Sequence, residues 1–130
     1  MEQGYSDELI QSHKKYLKAL IAYDRPMEEI DKMERIGWEF DEVNLATLLR
    51  QDIINVLNRF LNGEFTTAQI INWGESLDCR PTIEQEPPYD QMISNVIGIL
   101  ANCIDEKDDP LTPQRVQDLI AQLQFAEPDR

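Results

Sequence analysis

A single histidine, His13, bounds the chemistry open to this chain. Nucleophilic catalysis of the Ser–His or Cys–His kind needs a base within hydrogen-bond reach of the nucleophile. His13 falls among Leu9, Ile10, Leu17, Leu20 and Ile21 at helical spacing, and reads as a packed residue. The five glycines are scattered singly, so no glycine-rich cradle for phosphate exists, and no Gly-x-Ser-x-Gly turn is present. Cys79 and Cys103 form no Cys-x-x-Cys pair, the basic element of zinc and redox motifs, and read as free thiols. The stretch from Asp105 resembles a calcium loop only in its acids. Pro110 stands where the turn needs glycine, and Val116 stands where a bidentate acid must coordinate. Carboxylates remain: Glu75, Asp78, Glu84 and Glu86. Acid–base catalysis requires them in a cleft with displaced pKa values, whereas acids beside prolines read as solvated surface. The residues therefore imply no cofactor, no metal and no enzyme, and point to a binding protein.

The chain has 130 residues and a formal net charge of −13. That length fits one domain, residues 1–130, able to bury roughly two-thirds of its unfolded surface. Charge of this sign repels nucleic acid and anionic lipid. It is also uneven: residues 1–63 carry 12 acids and 8 bases, residues 64–130 carry 13 acids and 4 bases. Lys14, Lys15 and Lys18 form a short basic run, which reads as balancing local acids and not as a phosphate track. No apolar run approaches the ~20 residues of a membrane span. Met1 to Tyr5 lack the pattern of a signal peptide, so the expected location is the cytoplasm.

The elements that would position these acids are helical. A first helix is expected from Asp7 to Tyr23. Pro26 suits the first turn of a second, which Gly37 ends, with Trp38 and Phe40 as core plugs in the connection. The longest helix is expected from Asp41 or Glu42 to Asn62, with Leu45, Leu49, Ile53, Val56, Leu57, Phe60 and Leu61 as its apolar face and Gly63 as its stop. Thr66 followed by Gln69 is a capping box for a fourth helix, whose buried side is Ile70, Trp73 and Leu77; Phe65 and Ile70 fit a hydrophobic staple. A proline-rich connection from Cys79 to Pro88 leads to a fifth helix over 88–104, apolar around most of its circumference. Thr112 and Pro113 open a sixth, and residues 127–130 read as a frayed tail. Thr82 to Glu84 allow brief strand pairing, but two-residue alternation does not persist. The expected fold is all-α, a single-domain bundle of five or six helices.

Acids gather at two places along this framework. One runs from the end of the fourth helix into the fifth: Glu75, Asp78, Glu84, Glu86 and Asp90, with Tyr89 among them. The other is the loop with Asp105, Glu106, Asp108 and Asp109. An aromatic anchor inside a carboxylate rim suits a basic protein partner, since the ring supplies desolvated contact and the charges steer encounter. In this reading Glu84, Glu86 and Asp90 meet basic residues, with Tyr89 as anchor.

Leu61 to Leu77, which contain Gly63, Phe65, Thr66, Thr67, Ala68 and Trp73, resemble a segment of the small helical immunity proteins of bacterial toxin–immunity systems, of the contact-dependent inhibition or bacteriocin type. Ile97 to Asn102 and Leu111 to Val116 are similar to later blocks of that family, whereas Gly74 and Cys103 depart from it. The likeness covers roughly the C-terminal half. It implies a cytoplasmic protein, monomeric when free, that binds and blocks the catalytic domain of its cognate toxin, many of which are nucleases with basic clefts. Two other classes make different demands. An acidic adaptor or secretion chaperone predicts dimers that bind extended segments of a basic partner. A carboxylate-dependent enzyme predicts a deep pocket with a carboxylate of raised pKa.

Overall fold

The computed structural model describes residues 7–33, 45–78, 83–102 and 111–128. Asp7–Ala22 form α1, Met27–Met33 α2, Ala46–Leu48 β1, Arg50–Leu61 α3, Thr67–Leu77 α4, Ile83–Gln85 β2, Asp90–Asn102 α5 and Pro113–Gln124 α6. The expected all-α bundle is present, with six helices among the described residues and one small addition, a two-stranded sheet. Gly37, Trp38, Phe40, Cys79, Cys103, the loop with Asp105, Glu106, Asp108 and Asp109, and the tip of the tail lie outside the described residues.

Capping chemistry places most helix ends where the residue types require. Thr66 Oγ1 accepts the Gln69 N–H at 3.1 Å, and Gln69 Oε1 accepts the Thr66 N–H at 2.7 Å, closing the capping box of α4. Thr112 does the same one-sidedly for α6, accepting the Arg115 N–H at 3.1 Å. After α3, Gly63 takes φ +87°, a left-handed conformation that costs glycine nothing. Its N–H meets Phe60 O at 3.0 Å and the Glu64 N–H meets Arg59 O at 2.9 Å, so two end carbonyls are satisfied.

The longest expected helix is shorter than its apolar spacing suggested. Residues 46–48 are extended, and α3 begins only at Arg50. Leu49 holds φ −95° and ψ 153°, and its N–H is taken by Asp52 Oδ2 at 2.9 Å. That bond fixes the first turn and leaves the preceding residues free to pair elsewhere. They pair in parallel with β2, Ala46 opposite Ile83, Thr47 opposite Glu84 and Leu48 opposite Gln85. Burial follows the strand and not a helix: Leu48 is buried and Leu49 is exposed. Short apolar runs fit both periods, and the partner strand lies two helices away in sequence, so local periodicity could not reveal it.

The core collects Tyr16, Leu17 and Leu20 of α1, Ile53, Val56 and Leu57 of α3, Ile70 and Trp73 of α4, Ile93, Val96, Ile97 and Leu100 of α5, and Val116, Leu119 and Leu123 of α6. His13 is buried at 1% exposure, its ring centroid 5.4 Å from that of Tyr16. The tightest joint is between α4 and α5. A Cβ added to Gly74 would stand 3.0 Å from the Ala101 nitrogen and 3.1 Å from Leu100 Cβ. Helix α4 thus meets α5 backbone to backbone, and Gly74, the residue that departed from the family-like pattern, is required by that approach.

Candidate partner-binding surface

The start of α3 is tied to β2, α5 and α6 by Arg50. Its backbone N–H and its Nε both donate to Glu86 Oε1, each at 3.0 Å. Its Nη1 reaches Leu123 O at 3.4 Å, at the end of α6. Its guanidinium carbon sits 3.6 Å from the centroid of the Tyr89 ring, within cation–π range. The backbone holds Glu86 in place: its N–H donates to Leu48 O at 2.9 Å, and its carbonyl accepts the Tyr89 N–H at 2.7 Å.

The two carboxylates beside Arg50 are pushed in opposite directions. The hydrogen bonds from the Arg50 side chain and backbone hold the Glu86 carboxyl below the usual glutamate range. Burial raises the Asp52 carboxyl, the Leu49 N–H partly opposes this, and the charge of Glu86 adds to the rise. A displaced pair of this kind is what an acid–base site would use. Asp52, however, spans the helix start through its bond to Leu49, and the neighbouring groove is small. That groove has a volume of about 220 Å³ and is lined by Leu49, Arg50, Ile54, Glu86 and Leu123 among others. Small-molecule sites run from roughly 300 Å³ upward.

Sequence reasoning placed Glu75, Asp78, Glu84, Glu86, Tyr89 and Asp90 in one cluster, and the structure divides them. Glu84 is exposed on β2 and Asp90 is exposed at the start of α5. Glu86 and Tyr89 lie between them but are half-buried and engaged by Arg50. Glu75 and Asp78 are exposed at the far end of α4, next to Gly74, which abuts Leu100 and Ala101. Ten residues of α5 separate Leu100 from Asp90, about 15 Å along the helix axis. Trp73 is fully buried, as its helical spacing implied.

A second arginine organises the opposite connection. Tyr23 ends α1 with φ +50°, a conformation that L side chains adopt at a cost of roughly 1–2 kcal/mol. Its ring stacks on Phe65 at 4.2 Å and lies 6.3 Å from Trp73. Three carbonyls at the end of α1 are met by side chains: Leu20 O by Trp73 Nε1 at 2.6 Å, Ala22 O and Tyr23 O by Arg59 Nη1 at 3.1 and 3.0 Å. Arg59 also pairs with Glu64 at 3.1 Å and covers the Phe65 ring. A cation at a helix C-terminus is favourable there.

Sequence reasoning missed Arg50, Arg59, Leu49 and Phe125. Leu49, at 41% exposure, and Phe125, at 79%, are the two exposed large apolar side chains among the described residues. Leu49 precedes α3 and Phe125 follows α6, at the pole that Arg50 ties together. Leu49 hid within a helical stripe that the strand interrupts, and Phe125 fell between the apolar stripe of the sixth helix, which ends at Leu123, and the tail from Glu127.

Among the described residues no group of three His, Cys, Asp or Glu side chains is placed to hold a metal ion, and no helix is long and apolar enough to cross a membrane. Comparison with protein-family models, with curated proteins and with solved structures finds no match for this chain.

Proposed function

We propose that this chain is an immunity-type protein that binds a basic protein domain, the catalytic domain of a bacterial toxin, and blocks it by occupying or covering its cleft. The observation that carries the reading is the pole built around Arg50. Exposed carboxylates stand on the elements gathered there, Glu84 on β2 and Asp90 at the start of α5, and exposed Leu49 precedes α3 and Phe125 follows α6, on a chain of net charge −13. Carboxylates steer a basic partner and set its orientation, and the apolar contacts slow its departure. A nuclease is the favoured partner class because its substrate cleft must carry positive charge. Binding as a free monomer in the cytoplasm follows from the same reading.

A growth-rescue experiment tests it. The C-terminal domain encoded by the gene immediately upstream is expressed in a bacterial host with and without this chain. Relief of toxicity by this chain, and not by an unrelated acidic protein of equal charge, is the expected result. Toxicity that persists with both proteins soluble would sink the neutralisation reading for that neighbour. Charge reversal at Glu84 and Asp90 is expected to weaken both rescue and the salt dependence of binding. Glu86 is a poor reporter, since replacing it also frees Arg50 and the start of α3.

A further inference from the structure

We propose that Leu49 and Phe125 are the apolar anchors of this surface, and that they receive a partner segment in which one large apolar side chain stands between lysines or arginines. The inference rests on the basic-partner reading and adds the anchors and the chemistry of the occupant.

Four observations carry it. First, neither residue is exposed for the sake of the helix it borders. Leu49 occupies the position before α3, where a polar side chain would cap the first turn, and it makes no side-chain cap bond. Asp52 makes the other half of a capping box from within the helix, accepting the Leu49 N–H. Phe125 ends α6 with 79% of its surface in water, where any polar residue would serve the fold equally well. Second, the two residues belong to one pole. The groove beside Leu49 is lined across from it by Leu123 and Gln124, the neighbours of Phe125. Third, the groove has an apolar floor from Ile54 and Leu123, with about 220 Å³ of space, enough for a single side chain but not for a cofactor.

Fourth, the charge around it has one sign in excess. Arg50 is matched by Glu86, while Asp52 adds a second carboxylate close enough for Glu86 to raise its pKa. Glu84, Asp90 and Glu127 stand exposed on the adjoining β2, α5 and tail. A cation-flanked apolar residue is complementary to that arrangement. A second copy of this chain is not, because each copy brings a net charge of −13.

Three synthetic peptides of equal length test the proposal with the full chain. One has a central Phe between lysines, one a central Ser between lysines, and one a central Phe between glutamates. Affinity is read by fluorescence anisotropy, and position by amide shifts of the ¹⁵N-labelled protein. The Lys–Phe peptide is expected to bind best and to shift Leu49, Arg50, Gln51, Gln124 and Phe125. The double change Leu49→Ser, Phe125→Ser is expected to weaken it by roughly tenfold or more, the loss typical of a removed anchor. Both sites are exposed and serine at position 49 can cap α3, so the double variant should keep the parent's circular dichroism spectrum and a Tm no lower than the parent's.

If the Lys–Ser peptide binds equally well, and the double variant is unaffected while Glu84→Lys with Asp90→Lys weakens binding, the anchors are overturned and the basic-partner reading stands. If the Glu–Phe peptide binds as well as Lys–Phe, both fall together. Absence of binding by all three at millimolar concentration overturns the anchors and leaves growth rescue to judge the function alone. Self-association in sedimentation equilibrium that Phe125→Ser abolishes assigns the surface to a second copy and overturns the occupant.

Discussion

Two glycines in the same protein offer a controlled experiment on the joint between α4 and α5. Gly74→Ala and Gly98→Ala are chemically identical substitutions inside helices, and each should gain about 1 kcal/mol of helix propensity. Their surroundings differ. The new Cβ at position 98 meets nothing within 4 Å, so that variant should keep most of the gain. At position 74 the new Cβ would lie 3.0 Å from the Ala101 nitrogen, 3.1 Å from Leu100 Cβ and 3.2 Å from the Leu100 carbonyl carbon. Carbon contacts are favourable at roughly 3.5–4.0 Å, so α5 must retreat by about half an ångström. Two of the three atoms are backbone, and no flexible side chain can move aside in their place. Overpacking of this kind costs about 1–3 kcal/mol, which offsets or exceeds the propensity gain. The expected result is Gly98→Ala more stable than the parent, Gly74→Ala less stable, and a difference of about 1–3 kcal/mol between them. Urea denaturation resolves this, because 1 kcal/mol moves the midpoint by about 0.5 M for a domain of this size. Equal midpoints for the two variants would refute the close approach of α4 to α5.

Trp73→Phe keeps an aromatic ring in the core but removes the donor to Leu20 O, which then retains only the Tyr23 N–H at 3.2 Å. A loss of about 1–2 kcal/mol in urea denaturation is expected, and a variant as stable as the parent would show the indole bond to be dispensable. The pH dependence should also separate the carboxylates at Arg50. Glu86 has a lowered folded-state pKa, so the stability it contributes is present above its unfolded value and is lost as pH falls through the folded one. Asp52 has a raised folded-state pKa, so its contribution has the opposite sign. Stability falls as pH rises from its unfolded value to its folded one. Glu86→Gln, which keeps an acceptor for Arg50, should therefore flatten the loss of stability as pH falls below the unfolded glutamate value of about 4.3, measured as urea midpoints. An unchanged profile would mean that the Arg50–Glu86 contact does not distinguish the folded state.

The helical fold was legible because helices are written locally. Thr66 with Gln69, Thr112 with Pro113, and Gly63 each signal an end within a few residues, and each end is found where they place it. The sheet was not legible, because Ala46–Leu48 find their partner only after α3 and α4 have folded back. The surface was legible in charge but not in geometry. Counting acids along the chain grouped Glu75 and Asp78 with Glu84 and Asp90, although α5 keeps its two ends apart. Nor could sequence tell which acids face solvent. Glu86 is a glutamate among prolines like its neighbour Glu84, yet one is bound by Arg50 and the other is exposed. That difference depends on a residue 36 positions away.

The arginines explain how the charge is distributed. Arg50 and Arg59 each pair with a carboxylate and reach carbonyl oxygens at the end of a helix, α6 and α1 respectively. Arg25 pairs with Asp24. These pairings leave the net charge unchanged, since each involves one charge of either sign, but Arg50 and Arg59 are drawn towards the fold while Arg25 stays exposed beside Asp24. The lysines among the described residues, Lys14, Lys15, Lys18 and Lys32, all belong to α1 and α2, which also bear the exposed acids Glu8, Glu28, Glu29 and Asp31, while Arg115 lies on α6. Exposed acids continue through β2, α4 and the start of α5. Among the described residues the charge is therefore uneven as well as acidic, and uneven charge helps orient a charged partner before contact. On the proposed function, a basic domain approaching at low salt would be drawn towards exposed acids such as Glu84 and Asp90 on β2 and at the start of α5. Steering would then act through charges that need not touch the partner, whereas residence time would depend on the two apolar side chains. Salt should lower the association rate strongly and the dissociation rate little, while loss of Phe125 should do the reverse.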